Sequence, residues 1–332
     1  MMIFRLIQIV LPNDKKEQTK RIIEELDVMD YSYSKFSQTH LKFDIIVKRE
    51  RSEELLEIFQ KEFSKLKGFR IVIIPIETYI PFPEEDLNIE KPEMKKPSER
   101  ISREEIYAQV SEMSKLTRIY MLLVAASAFV AAIGLLNDDV AVIIGAMIIA
   151  PLLGPNIGLS LASVMGNKVF AYKAIKTNLI GFLIAAIVSI VVGMIFTVNP
   201  QNPSIVLRTD IERGSFFLAL ASGLAGSLAL TTELTSALVG VMIAVALMPP
   251  LAAFGILIGS GNFYLAFGAL LLFLVNLVGI NLAATISFVA QKIKPLDEEE
   301  AANAKKMAKT SILIWFTSLI VLFALIRFHI IY

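Results

Sequence analysis

Residues 140–167, VAVIIGAMIIAPLLGPNIGLSLASVMGN, constrain the fold of this chain most. The stretch is apolar enough to enter a bilayer, yet Pro151, Gly154 and Pro155 interrupt it at mid-length. Proline lacks a backbone donor, clashes with the preceding turn and pushes the residue before it out of helical geometry. The pattern predicts two half-helices of roughly eleven residues, about 16 Å each, joined by a non-helical elbow. Such backbone survives at membrane depth only when protein buries it or a polar cavity hydrates it. The rest of the chain must therefore shelter the elbow.

The chain has 332 residues, 55% of them hydrophobic, and most of its charge lies in the first 118 positions. That asymmetry predicts a soluble head followed by a membrane body. A net charge of +1 creates no field that would recruit nucleic acid. Cysteine is absent, which excludes disulfide and thiol chemistry. The N-terminal MMIFRLIQIVLP has too short an apolar run for a signal peptide and no small-residue cleavage site.

Within residues 1–81 the periodicity predicts strand 4–11, helix 14–27, strand 30–37, strand 41–50, helix 52–68 and strand 69–80. Ser52 is placed to cap the second helix and Gly68 to end it. Pro75 suggests an edge strand. The order β-α-β-β-α-β is that of the ferredoxin-like split βαβ, a topology that hosts many unrelated functions. His40 stands alone and reads as a strand-turn residue. The head is expected to serve assembly or, alternatively, to sense a small ligand. Residues 82–100, rich in proline and charge, read as a linker. A helix is expected from Ser102 to Arg118, with Glu104 and Glu105 at its positive end.

The membrane body is expected to contain seven spans. A first, 119–136, closes at Asn137-Asp138-Asp139, and the interrupted stretch follows. A third, 178–198, leads to a polar loop, 199–214, in which Arg208, Asp210, Glu212 and Arg213 are expected to be solvated. A fourth span, 215–230, precedes a second interrupted stretch, 236–262, broken at Pro249-Pro250. A sixth, 263–290, a charged loop, 291–310, and a final helix, 311–332, complete the chain.

The second interrupted stretch repeats the first. An offset of 95 positions aligns Gly145 with Gly240, Met147-Ile148 with Met242-Ile243, Leu152 with Leu247, Pro155 with Pro250 and Gly166-Asn167 with Gly261-Asn262. Repeat 1 is then 119–198 and repeat 2 is 215–290. If each interrupted helix crosses fully, each repeat has three spans and the second is inverted. The two elbows are expected to shelter each other. Full crossing also puts Lys115 and Arg118, Lys168, Lys173 and Lys176, and Lys292 to Lys309 on one side, which is the cytoplasmic side by the positive-inside rule. The head is then cytoplasmic in a multi-pass protein of the cell membrane. Its expected partners are lipid and further copies of itself.

Inverted repeats with broken helices occur in secondary transporters, where half-helix ends face a midplane solute site. The candidate solute-binding residues are Ala150, Pro151, Gly154, Pro155, Asn156 and Ser160 at the first elbow, with Pro249 and Pro250 at the second. Asn178, Asn276 and Asn281 are intramembrane amides that need partners, either each other's helices or a solute. Asp138, Asp139 and Glu233 sit at helix starts, where capping and gating are the two roles open to them. Gly154/Gly158 and Gly255/Gly259 are spaced for close helix packing. No group of residues has metal-ligand spacing or a nucleophile–base pairing, so neither a cofactor nor enzymatic activity is expected.

The segments GAMIIAPLLGPNIGLSLA (145–162) and GVMIAVALMPPLAAFGI (240–256), with the loop containing Arg208-Thr209, resemble a hydrophobic membrane family of bacteria and archaea, domain of unknown function 389. The resemblance covers about residues 119–290. It implies a multi-span membrane protein and assigns no activity. Two functions remain open: a transporter or channel-like permease regulated or assembled through its head, and a non-transporting scaffold that anchors a sensing head. Two sheltered elbows exceed what an anchor requires, because buried backbone groups without partners are costly in hydrocarbon.

Overall fold

The computed structural model describes residues 4–26, 28–76, 101–210, 213–232, 236–295 and 298–331. The expected linker at 82–100 and Glu233 lie outside these residues. The chain forms two compact units, Met1–Arg103 and Glu104–Tyr332.

In the first unit the elements run β1 (Phe4–Pro12), α1 (Lys16–Glu25), β2 (Asp30–Lys35), β3 (His40–Lys48), α2 (Arg49–Phe63) and β4 (Arg70–Ile76). The sheet order is β2-β3-β1-β4 and every pairing is antiparallel. This is the split βαβ arrangement, with Pro75 on an edge strand as expected. Alternation on β1 sends Ile7, Ile9 and Leu11 into a core completed by Ile23, Phe43, Ile45, Leu55, Phe59 and Phe63. Helix α2 begins three residues before the expected cap. Ser52 lies inside it and donates to Arg49 O at 2.6 Å.

The second unit is a helical bundle: α3 (Arg103–Met113), α4 (Arg118–Leu136), α5 (Val140–Ile149), α6 (Leu153–Val164), α7 (Lys168–Ile195), α8 (Pro203–Val206), α9 (Arg213–Thr232), α10 (Ser236–Gly259), α11 (Phe263–Ala290) and α12 (Glu298–Ile331). Five described helices, α4, α7, α9, α11 and α12, are long and apolar enough to cross a membrane. The pair α5–α6, bent by 51°, would make a sixth crossing. Helix α3 stops at Met113, short of the expected Arg118. Thr117 restarts the chain by accepting from Tyr120 N at 3.0 Å, an N-cap for α4. Helix α7 begins ten residues before the expected span, capped by Asn167.

The expected interruption at 140–167 is present. Helix α5 ends at Ile149, Ala150 is extended (ψ 116°), and α6 starts at Leu153. Pro155 is in the first turn of α6, where a missing N–H has no consequence, so the elbow itself is 150–152. The α5–α6 pair advances from one end of the bundle to the other. Its start, Asp138, accepts from Ser204 N at 2.9 Å, and Asn202 Nδ2 donates to Leu135 O and Leu136 O. The α4–α5 turn and the chain after α7 therefore share one end. A hairpin at the elbow would send α7 to the opposite end.

The expected interruption at Pro249-Pro250 is absent. Helix α10 runs unbroken through both prolines. The reason lies on the neighbouring helix. Pro250 removes the donor that would close on Ala246 O, and Asn276 Nδ2 of α11 supplies another at 2.7 Å. A neighbour that satisfies the freed carbonyl lets a membrane helix keep a proline.

Candidate functional site

The polar groups of the bundle interior converge on the level of the elbow. Ser127 of α4 donates to Ala146 O in the last turn of α5 at 2.7 Å. Ser114, just after α3, donates to Gly154 O at 2.8 Å. Thr177 of α7 in turn donates to Ser114 O at 3.0 Å, and the Tyr120 hydroxyl donates to Thr177 O. Gly154 makes this approach possible, because a Cβ there would lie 2.1 Å from Met113 O. Gly158 faces Ser114 in the same way. The hydrogen bonds at the elbow thus come from the α3–α4 junction and α4, while α10, the other proline-bearing helix, packs against α5 and α6.

Beyond the elbow, Asn156 Nδ2 closes back on Leu152 O at 2.8 Å, and its Oδ1 accepts from Asn281 Nδ2 of α11 at 3.3 Å. Ser160 donates to Asn281 at 3.2 Å, and Thr285 donates to Asn281 O at 2.7 Å. All four side chains are fully buried. In such surroundings a network with every member paired holds α6 against α11 and presents little to a solute. Of the residues assigned to solute binding, Asn156, Ser160 and Asn281 are brought together as structure.

Asn276 and Asn178 behave differently. The Asn276 amide nitrogen is committed to Ala246 O, and its Oδ1 is buried without a partner. Asn178 Oδ1 and the Ser189 hydroxyl on α7 are likewise buried and unpaired. Unsatisfied buried polar atoms are uncommon and call for an explanation.

A repeat missed in the sequence links these two residues. NLIGFLIAAIVS (178–189) on α7 and NLVGINLAATIS (276–287) on α11 match at an offset of 98 positions, with Asn, Leu, Gly, Ala, Ala and Ser identical. The offset exceeds 95 because the second repeat has three more residues between Asn262 and Asn276 than the first has between Asn167 and Asn178. The contacts repeat too. Gly181 of α7 faces Tyr120 of α4, and Gly279 of α11 faces Ala219 of α9. Helix α10 packs on α7, and α6 packs on α11. Each interior helix therefore lies against the third helix of the other repeat, with Gly255 and Gly259 admitting α7 at backbone contact.

At the α4–α5 end the two acids separate in role. Asp139 caps α5, accepting from Ala141 N and Val142 N. Asp138, at φ 55°, turns away and accepts from Ser204 N at the start of α8 instead. Arg208, expected in solvent, is partly buried beside it and donates to Ser204 O at 2.9 Å. Burial pushes its guanidinium below the usual arginine value, and Asp138 opposes that shift. At the other end, Gly166 approaches Ala304 and Asn167 donates to Tyr107, so the start of α7 at Lys168 lies near the segment of α12 that carries Lys305 and Lys306. Among the described residues, no group of three or more His, Cys, Asp or Glu side chains could hold a metal ion. In the head, His40 pairs with Thr39 and Lys67 O beside Gly68, a turn role.

A helical bundle with helices of membrane-crossing proportions and an N-terminal unit built on an antiparallel four-stranded sheet define the class. The chain belongs to the family described as domain of unknown function (DUF389), whose model matches residues 147–282. It is 38% identical over 308 residues to the uncharacterized protein MJ0678 of Methanocaldococcus jannaschii, an alignment covering 92% of this chain and 94% of that relative. No solved structure matches the chain.

Proposed function

We propose that this protein is a permease for a small solute or ion. Its body is read as seven spans, with α4 to α7 and α9 to α11 as inverted three-span repeats and α12 as a final crossing. The head is read as a cytoplasmic regulatory or assembly domain. The observation that carries the reading is the pair of equivalent amides, Asn178 and Asn276, buried in the third helix of each repeat with oxygens that no protein group satisfies. Inverted-repeat transporters hold their substrates near the midplane, at the seam between repeats. The basic residues around Lys168 and Lys305 support a cytoplasmic position for that end of the bundle. Ser114, just after α3, holds Gly154 O beside the elbow.

The test is flux in proteoliposomes across a panel of radiolabelled cations, anions and neutral solutes. Wild-type protein should pass at least one class, and Asn276→Ala should abolish that flux. Asp139→Ala, at the far end of the bundle, should retain it. No flux from correctly folded protein would favour the scaffold reading.

A further inference from the structure

We infer that Asn178 and Asn276 form the two halves of a binding site for a monovalent cation on the seam between the repeats. The placement follows from helix periodicity. Phe182 of α7 and Phe273 of α11 meet edge to face, with centroids 4.9 Å apart at 83°. Asn178 lies four residues before Phe182, and Asn276 three residues after Phe273. These spacings keep each asparagine on the face of its phenylalanine.

The two helices run in opposite directions. Helices α7 and α10 run in the same direction, since Gly255 faces Ala186–Ile190 and Gly259 faces Ile190–Met194. Helix α11 returns from α10 after the turn at Gly261. Both asparagines therefore fall one turn from the ring pair and on the same side of it, facing each other. Both are nine-tenths buried or more, at 5% exposure. Stepping back along α7 and α10 from Gly255 puts Asn178 level with the turn of α10 that Asn276 reaches at Ala246.

The chemistry selects the ligand. The Asn276 nitrogen is occupied, so this residue offers an oxygen alone. Pro249 and Pro250 strip two backbone donors from the adjacent turn of α10; Asn276 takes the Ala246 carbonyl, and the Val245 carbonyl is left without its helical donor. Asn178 adds a second amide oxygen. A set of neutral oxygens with few free donors suits a cation. It carries no carboxylate to balance a divalent ion, which takes several charged oxygen ligands, and it repels an anion. The ring pair closes one side against water. Unwound backbone carbonyls coordinate cations in discontinuous-helix transporters; here a proline within a continuous helix frees the carbonyl.

This deepens the permease reading and rests on it for its role, while the site itself can be tested by binding. The full-length protein in detergent is unfolded thermally in Na⁺, K⁺ or Li⁺ and compared with N-methylglucamine at equal ionic strength. One of the three cations should raise the midpoint by about 2–4 °C. Asn178→Leu removes a side chain whose Oδ1 has no partner among the described residues, so it should fold, match or exceed the wild-type midpoint in N-methylglucamine, and lose the cation response. Asn178→Asp should respond at about tenfold lower cation concentration. No shift with any of the three ions, or a shift that survives Asn178→Leu, overturns the proposal and leaves the amides to water. Binding without flux would uphold the site and remove the permease reading. Flux of a neutral solute without cation binding would do the reverse.

Discussion

The two halves of the bundle share one aligned proline, Pro155 and Pro250, and only the first breaks. At Ala150–Leu152 the helix breaks, bends by 51° and admits the α3–α4 junction. In the second half Pro151 is replaced by Ala246, and α10 continues without interruption through Pro249 and Pro250, the latter aligned with Pro155. The difference lies in that extra proline and in the neighbours. In the second half, α11 brings Asn276 to the freed carbonyl. In the first half no side chain of α7 plays that part. Side-chain donors instead flank the break, Ser127 on Ala146 O before it and Ser114 on Gly154 O after it. Proline removes a donor wherever it stands. Whether the helix breaks depends on where the proline falls and on who replaces that donor.

The contrast can be strained from either side. Asn281→Leu should have the largest effect, because it strips partners from Asn156 and Ser160 at once. About 3 kcal/mol should be lost in reversible unfolding in micelles. Gly154→Ala should lose about 2 kcal/mol as the new methyl group meets Met113 O. Asn276→Leu should lose about 2 kcal/mol by leaving Ala246 O unpaired. Adding Pro250→Ala to it restores a backbone donor and should recover most of that loss, a coupling that a double-mutant cycle reads directly. If Pro250→Ala gives Asn276→Leu nothing back, the account of α10 fails. Asp139→Ala should lose about 1 kcal/mol, the value of an N-cap.

Much of this was legible in the residues. Period-two and period-3.6 patterns placed the strands and helices of the head, and Pro75 marked its edge strand. The elbow at Pro151 was legible because proline disfavours helical geometry in the residue before it, and Ala150 is extended. The continuity of α10 was not, since it depends on an amide 26 residues further on in sequence, Asn276 relative to Pro250. Local signals cannot report a donor that tertiary packing brings in. Asp138 misled for a similar reason. Its position at a helix start suggested a cap for α5, and its positive φ aims the carboxylate at α8 instead. The match between Asn178–Ser189 and Asn276–Ser287 was in the sequence throughout, hidden by a three-residue change of offset.

The central claim is that the two halves are the same unit placed in opposite senses in the membrane. Because the chain has no cysteine, single cysteines at Lys168 and Phe263 can be read without background. These positions follow the aligned Asn167 and Asn262 and open the third helix of each half. With a membrane-impermeant thiol reagent on oriented vesicles, the two should label from opposite faces. Labelling from the same face would contradict the inverted arrangement.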